Sequence, residues 1–220
     1  MRNYFDEQLT LLNTELIEMG ALCEDIIAIT PKALESGSAA IAKKAKPLDA
    51  EIRRKERDIE GLCLKLLLQQ QPVAKDLRQI SAALKMVTDM ERIGDQAADV
   101  AEILSFLSEN ESGATPLLIE MAKSAIKMVT ESVDAFVKHD IMLAEKVAAD
   151  DDTVDGYFIA VKRRLIEEIS ENPSKGESAL DLLMIAKYFE RIGDHAVNIA
   201  YWVMFSITGD RGRENHDLVR

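Results

Sequence analysis

The sequence predicts an all-α protein built from two tandem antiparallel three-helix bundles, and three observations support this class. Apolar residues recur with helical periodicity along most of the chain, and no alternating strand pattern is found. Five prolines and ten glycines in 220 residues leave room for long helices. The segment Glu-Arg-Ile-Gly-Asp occurs at residues 91–95 and again at residues 190–194. This repeat indicates an internal duplication with two similar units.

The first unit is predicted over residues 1–111. Pro31 is expected to bend or end its first helix, because proline has no backbone N–H and its ring clashes with the preceding turn. Pro47 predicts an irregularity early in the second helix, and Pro72 ends that helix. Asp76 is expected to cap the third helix. The three helices are predicted over residues 4–34, 38–70 and 76–108.

The second unit is predicted over residues 112–208, and a polar tail at residues 209–220 is expected to fray. Ser112 and Gly113 form the predicted linker between the units. Thr115 is expected to be the N-cap of the fourth helix, with a proline in the first turn behind it. The helices are predicted over residues 115–138, 141–170 and 177–207, with a tight turn at residues 139–140.

The composition limits the classes of partner and the compartment. The formal net charge of −12 argues against nucleic acid, because binding to phosphates requires a surplus of lysine and arginine. Cys23 and Cys63 lie among apolar residues without metal-like spacing, so two buried free thiols are expected. No signal peptide is seen, and no apolar stretch approaches the roughly 20 residues of a membrane span. We therefore expect a soluble cytoplasmic protein without membrane insertion.

The repeated segment places two acids one helical turn apart in each unit. The apolar stripe of the third helix is predicted from Ala83 to Leu104 and that of the sixth from Leu182 to Val203, with the three-four spacing of a packed helix. At about 100° per residue, Glu91 and Asp95 point nearly opposite the first stripe. Glu190 and Asp194 do the same in the sixth helix, and Asp99 extends the first row by one turn. The sequence therefore predicts a ridge of carboxylates on an outward face of each bundle. The glycine inside each motif costs about 1 kcal/mol relative to alanine, which suggests that another backbone or a ligand approaches closely.

Acidic residues in the preceding helices supply a second set of candidate ligands. Asp151 and Asp155 are one turn apart in the fifth helix, and antiparallel pairing would bring them beside the motif of the sixth. The resulting all-oxygen site suits hard cations such as Mg²⁺, Mn²⁺, Ca²⁺ or Fe³⁺. In the first unit Asp49 is followed by Arg53 where the second acid would stand, so that site is expected to bind metal more weakly or differently. Residue spacing alone leaves an ordinary salt-bridged surface as an equal alternative.

Catalytic machinery is not visible in the sequence. The chain has no glycine-rich loop that could cradle phosphates, and no nucleophile-and-base arrangement stands out. His195 follows the second motif but has neither a second histidine nor a Glu-x-x-His partner, so a ferritin-type di-iron centre is not expected. We expect His195 to be a surface residue, and we predict no catalytic residue.

A proline-containing segment and the two motifs together resemble a known family. Residues 71–78, Gln-Pro-Val-Ala-Lys-Asp-Leu-Arg, precede both copies of Glu-Arg-Ile-Gly-Asp in the order and spacing of the PhoU family of bacterial regulators of phosphate transport. The resemblance extends over nearly the whole chain. It implies a duplicated three-helix-bundle fold, commonly homodimeric, whose acidic faces bind iron or other metals such as Mn, Mg, Zn or Ca. Carried over by position, the candidate ligands are Asp49, Glu91, Asp95, Asp99, Asp151, Asp155, Glu190 and Asp194.

The resemblance also implies a function. Members of the family are non-enzymatic adaptors between the ATP-hydrolysing subunit of the phosphate importer and a membrane histidine kinase, and they restrain uptake and starvation signalling when phosphate is sufficient. Asn198 stands where the second unit would repeat Asp99, so equal metal binding by the two units is not expected. Two alternatives remain open: a helical protein whose bound metal cluster is itself the function, and a structural scaffold with salt-bridged acids.

Overall fold

The computed structural model describes residues 2–36, 38–69, 73–107 and 112–210. Within these ranges the chain forms eight α-helices and one short 3₁₀ helix (Pro173–Lys175), without any strand, which confirms the all-α prediction. The α-helices are α1 (Arg2–Ile27), α2 (Ile29–Ser36), α3 (Ala39–Ala42), α4 (Ala45–Gln69), α5 (Ala74–Phe106), α6 (Thr115–Lys138), α7 (Ile141–Glu171) and α8 (Gly176–Thr208).

The prolines of the first unit act close to the positions predicted, but not at them. The first helix ends at Ile27 and α2 restarts at Ile29, because Pro31 has no N–H to donate to the carbonyl one turn earlier. The irregularity expected at Pro47 falls at residues 43–44, which form a turn. Pro47 itself is the third residue of α4, where a missing N–H costs nothing because the first turn has no intrahelical partners.

Helix ends in the second unit lie closer to the predicted positions. The N-caps predicted at Asp76 in the first unit and at Thr115 in the second are wrong. Ala114 is the N-cap of α6 in place of Thr115, and Val73 is the N-cap of α5, with Asp76 in the first turn. The turn after α6 forms as expected, since His139 adopts a left-handed φ of 51°. The predictions made for Pro72 and for the tail beyond residue 210 lie outside the described residues.

Two three-helix bundles make up the fold. Helices α1, α4 and α5 pack together in the first repeat, and α6, α7 and α8 pack together in the second. The repeats join through α1 against α6 and, most extensively, through α5 against α8. The helices that carry the repeated motif therefore face each other at the centre of the molecule.

The core follows the helical stripes predicted for α5 and α8. Every predicted position is buried, because each stripe has the three-four spacing of a helix packed on two others. These residues are Ala83, Met86, Met90, Ile93, Ala97, Val100, Leu104, Leu182, Ile185, Phe189, Ile192, Ala196, Ile199 and Val203. Among the described residues, no helix is long and apolar enough to cross a membrane.

Both cysteines are free and buried in the first repeat, as predicted. The thiol of Cys23 donates to the carbonyl oxygen of Met90 on α5 at 3.4 Å. Burial raises the pKa of Cys23 and of Cys63 to about 12, with a further contribution from a glutamate near each. At neutral pH both side chains are therefore protonated and act as apolar core residues.

Candidate carboxylate sites of the two repeats

The first site consists of Asp49 on α4 and of Glu91 and Asp95 on α5. Gly94 determines how closely these helices approach: a methyl group at this position would lie 2.9 Å from Cδ1 of the buried Ile52. The glycine predicted to admit a close neighbour thus admits α4 of its own bundle. As a result, Asp49 lies across the helix seam from the two motif acids.

One guanidinium group joins the three carboxylates of the first site. Nη1 of Arg53 lies 3.4 Å from Oε1 of Glu91, and its Nε lies 3.3 Å from the carboxylate oxygens of Asp49. Nη2 of Arg53 donates to Oδ1 of Asp95. Desolvation lowers the pKa of Arg53, but the hydrogen bond to Asp49 and the three negative charges outweigh it and raise the pKa above its ordinary value. Arg53 is therefore a permanent cation between the acids.

The acids of the first site are largely covered. The prediction of an outward-facing carboxylate ridge is therefore wrong for this site. The side chains of Glu91 and Asp95 are only 15% and 17% exposed, whereas Arg53 is 46% exposed and lies on the solvent side. The reason is that α5 is packed by α4 on one side and by α8 on the other. Arg92 adds a second cation at 3.4 Å from Oδ2 of Asp95.

Asp99, the predicted extension of the first row, makes a contact between the repeats. Its carboxylate lies near Tyr188 on α8. Burial raises the pKa of Asp99; the nearby Tyr188 lowers it and the charge of Asp95 raises it again. Asp99 also lines an open cleft of about 620 Å³ beside the first site, together with Asp95, Glu102, Lys43, Lys46 and Arg53.

A second contact between the repeats mirrors the first. Asn198 donates from Nδ2 to Oδ1 of Asp89 at 3.3 Å, and Nδ1 of His195 lies 2.9 Å from the same oxygen. Asp89 occupies the position equivalent to Tyr188, and Asn198 the position equivalent to Asp99. The Asp99/Asn198 difference, predicted to affect metal binding, thus belongs to a pair of polar contacts across the α5–α8 interface. His195, predicted to lie at the surface, keeps 20% of its side chain exposed and packs against Asp89 on α5 of the other repeat.

The second candidate site, as predicted from the sequence, comprises Asp151 and Asp155 on α7 and Glu190 and Asp194 on α8. A methyl group on Gly193 would lie 3.1 Å from Oδ1 of Asp151, which places Asp151 against the backbone of the motif. The side chain of Glu190 is 13% exposed, and Lys187 forms an ion pair with it. This pair does not have hydrogen-bond geometry, and the buried Oε2 of Glu190 accepts no hydrogen bond. Asp151, Asp155 and Asp194 each take part in an interaction of their own.

Asp150, next to the candidate ligand Asp151 on α7, pairs with lysines on α6 and α7. Asp150 accepts from Nζ of Lys127 on α6 at 2.9 Å and from Nζ of Lys146 at 3.3 Å. Burial raises the pKa of Asp150, but the two lysines outweigh this and lower it below the ordinary value. Asp150 therefore stabilises the α6–α7 contact and is separate from the second site.

The two sites differ in how well they fit a metal ion. The donor set of the second site is all carboxylate oxygen, the chemistry that hard cations prefer. The buried oxygen of Glu190, Oε2, is already in contact with the ammonium group of Lys187, which a metal ion would have to displace. In the first site the guanidinium of Arg53 stands where an ion would bind. In neither site, within the described part of the chain, are three or more His, Cys, Asp or Glu side chains already arranged to hold a metal. Metal binding therefore stays a prediction.

Comparison with known proteins follows the same division into two repeats. The family model described as the PhoU domain matches the chain twice, over residues 16–104 and 118–203. The chain belongs to the PhoU family. The family resemblance predicted from the motifs is thereby confirmed, and each match contains one copy of Glu-Arg-Ile-Gly-Asp.

PhoU proteins of several bacteria match along nearly the whole chain. The phosphate-specific transport system accessory protein PhoU homolog of Pseudomonas aeruginosa is 35% identical over 207 residues, covering 93% of this chain and 86% of that protein. The PhoU homolog 1 of Thermotoga maritima is 33% identical over 213 residues, covering 96% and 92%.

Solved PhoU structures share the fold. The crystal structure of PhoU from Pseudomonas aeruginosa superposes with a TM-score of 0.87 at 35% identity, covering 94% of this chain and 100% of that one. The phosphate transport system regulatory protein PhoU from Streptococcus pneumoniae superposes with a TM-score of 0.85 at 26% identity, covering 94% and 98%. The tandem helical repeat of this chain is the PhoU fold.

Proposed function

We propose that this chain is an accessory regulator of phosphate transport that acts in the cytoplasm as an adaptor and not as an enzyme. The observation that carries the proposal is that PhoU accessory proteins of phosphate-specific transport match 93% and 96% of its length at 35% and 33% identity. On this proposal the chain contacts the ATPase subunit of a phosphate importer and a phosphate-sensing histidine kinase. It restrains both when phosphate is sufficient.

The second repeat offers apolar side chains that would suit a protein partner. Ile159 on α7 and Met184 on α8 are exposed. Their equivalents in the first repeat are Arg57 and Lys85, and both are charged. Exposed apolar surface is typical of interaction sites, whereas exposed charge is typical of solvated faces. Ile159 and Met184 therefore offer apolar contacts for a protein partner at two positions where the first repeat is charged.

A metal ion at the second site would complement the adaptor role. Asp151, Asp155, Glu190 and Asp194 are the residues that would hold it, and Fe, Mn, Mg, Zn or Ca are the candidate ions. Such an ion would offset the repulsion among these carboxylates and hold α7 against α8. The surface near Ile159 and Met184, which the same two helices carry, would then keep one shape for the partner.

The test is affinity purification of the tagged chain from its own host at high and at low phosphate, with the recovered proteins identified by mass spectrometry. We expect recovery of a transporter ATPase or a membrane histidine kinase, with more recovered at high phosphate. The variant Ile159→Arg with Met184→Lys, which introduces the charged residues of the first repeat, is expected to lose this recovery. Met142→Lys changes another exposed apolar residue of α7 and is the matched control.

Two outcomes would contradict the proposal. Recovery of the chain alone, unchanged by phosphate, would exclude the adaptor role. If that chain carried bound metal, the alternative of a protein whose metal is itself the function would replace it. Loss of partners in both the double variant and the Met142→Lys control would show that exposed apolar surface along α7 in general, and not the positions of Ile159 and Met184, carries the binding.

A further inference from the structure

The two carboxylate sites differ at one equivalent position of the neighbouring helix. Along α4 and α7, Asp49 corresponds to Asp151 and Arg53 corresponds to Asp155. The structure supports this alignment, because Ile52 lies against Gly94 in the first repeat and its equivalent Val154 lies against Gly193 in the second. The same backbone position therefore carries a cation in one repeat and an anion in the other.

Arg53 makes contacts that a bound cation would make. Its three nitrogen atoms reach Asp49, Glu91 and Asp95, which belong to two different helices. Because a guanidinium presents several donors in a fixed plane, it can satisfy several carboxylates at once. The contact spans the seam between α4 and α5, so it fixes the two helices as a shared ion would.

Local charge separates the sites further. The first site combines three carboxylates with the guanidinium groups of Arg53 and Arg92. The second combines four carboxylates with the ammonium group of Lys187, which pairs with Glu190. A metal ion entering the first site would have to displace a cation that is covalently attached. The displaced arginine would stay nearby and repel the ion, since arginine does not lose its proton in proteins.

We propose that Arg53 is a built-in cation that takes the place of a metal ion in the first repeat, so that only the second repeat binds metal. The statement about the second repeat rests on the metal site proposed above, and the statement about Arg53 does not. The first repeat would then keep a fixed shape at any metal concentration. The second repeat alone would respond to metal supply.

The experiment compares Arg53→Asp with Arg54→Asp in the full chain. Both variants change the charge equally at neighbouring positions of α4, but Arg54 is 63% exposed and pairs with Glu51 at 3.4 Å, outside the site. Each protein is loaded with Mn²⁺, freed of loose ions by gel filtration and analysed for bound metal per chain. We expect Arg53→Asp to bind about twofold more metal than the wild type, because it recreates the four-carboxylate set. Arg54→Asp is expected to match the wild type.

Further variants assign the bound ions and guard against misfolding. Arg53→Gln removes the charge without adding a fourth acid, and it is expected to gain weaker Mn²⁺ binding, seen as a Mn²⁺-dependent rise in Tm. Glu190→Gln with Asp194→Asn is expected to remove the wild-type metal while helix content by circular dichroism is kept. Glu91→Gln with Asp95→Asn is expected to leave the wild-type metal content unchanged.

The inference and the proposed function fail in different ways. If Arg53→Asp and Arg53→Gln fold and gain no metal, or if Glu91→Gln with Asp95→Asn lowers wild-type metal, the role given to Arg53 is wrong. If the wild type carries no metal above a chelated blank while Arg53→Asp gains it, the role of Arg53 is supported and the metal site of the second repeat is wrong. Neither result changes the expected recovery of transport partners.

Discussion

The two repeats present the same five-residue motif to equivalent neighbouring helices, α4 and α7, yet they balance its negative charge by different means. In the first repeat Arg53 reaches all three acids, whereas the second repeat has Asp155 at that position. Burying carboxylates together is costly unless a cation compensates them. The first repeat supplies that cation from its own sequence. In the second, Lys187 contacts Glu190, and the metal ion proposed above would compensate the remaining charge.

The repeats also differ near the C-terminal ends of α4 and α7. Glu168 on α7 is buried, while its equivalent in the first repeat, Leu66, is an apolar core residue. The carboxylate of Glu168 accepts from the backbone N–H of Gly113 at 2.7 Å and from the hydroxyl of Ser112. It also lies 3.2 Å from Nε of Arg164. The second repeat thus uses a buried charge to hold the linker that enters it.

The largest effect is expected from removing the Glu168 carboxylate that holds the linker. Glu168→Ala should lower the free energy of unfolding by about 2 kcal/mol, because Ser112 and Gly113 in the linker lose a buried, charged acceptor. Urea denaturation followed by circular dichroism measures the change. Glu167→Ala is the control, since its side chain is 64% exposed. A surface change of that kind stays within about 0.5 kcal/mol. Equal losses in the two variants would show that the Glu168 carboxylate does not hold the linker.

A smaller effect should distinguish the two motif glycines. Gly94→Ala places a methyl group 2.9 Å from buried Ile52, whereas Gly193→Ala meets the oxygen of the Asp151 side chain at 3.1 Å. We expect Gly94→Ala to cost about 1–2 kcal/mol, because overpacking outweighs the better helix propensity of alanine. Gly193→Ala should cost less, since a carboxylate end can move.

The control for both glycine variants is Gly61→Ala, where no atom lies within 4 Å of the added methyl group. It should raise the free energy of unfolding by up to about 1 kcal/mol through helix propensity alone. Thermal unfolding of the three variants side by side tests the order. If Gly94→Ala were as stable as Gly61→Ala, the close approach of α4 to α5 would not depend on the glycine.

The smallest expected effect concerns the two contacts across α5 and α8. The pKa of Asp99 is raised by burial, so the native state holds its proton more tightly than the unfolded state. Its contribution to stability is present at low pH and is lost as the pH rises through the native pKa. Asp99→Asn, which copies Asn198, should therefore gain stability relative to the wild type as the pH rises. The gain should be a few tenths of a kcal/mol, because solvent screens the partly exposed carboxylate.

Unfolding curves of wild type and Asp99→Asn between about pH 3 and pH 7 cover this range, since an unperturbed aspartate titrates near 4. Asp152→Asn removes the same charge from an exposed position on α7 and is the control. A difference that stays constant with pH would show that the carboxylate of Asp99 titrates alike in both states.

Local sequence patterns were sufficient for the fold. The stripes of α5 and α8 were predicted from spacing alone, because helix burial depends on a period of 3.6 residues. Helix ends were less accurate, as at Ile27, because proline removes a hydrogen bond from the turn before it and not at its own position. Capping failed at Thr115, where Ala114 starts the helix without a side-chain hydrogen bond.

The candidate sites were predicted in part. The substitution of Arg53 for a second acid was visible in the sequence, but its reach to Glu91 and Asp95 depends on the crossing of α4 and α5. The outward direction of the ridge was wrong, because the packing of α5 on α8 is a long-range contact that periodicity does not encode. The sequence did indicate a buried or partner-covered face at the second motif, because Leu183 and Val197 share that face with Glu190.

The placement of the two cysteines gives the molecule an internal reporter. Both belong to the first repeat, and no cysteine occurs in the second. Because Cys23 and Cys63 are buried with pKa values raised to about 12, a thiol reagent can reach them only when the helices around them separate. The rate of thiol modification therefore reports how often the first repeat opens, without any signal from the second repeat.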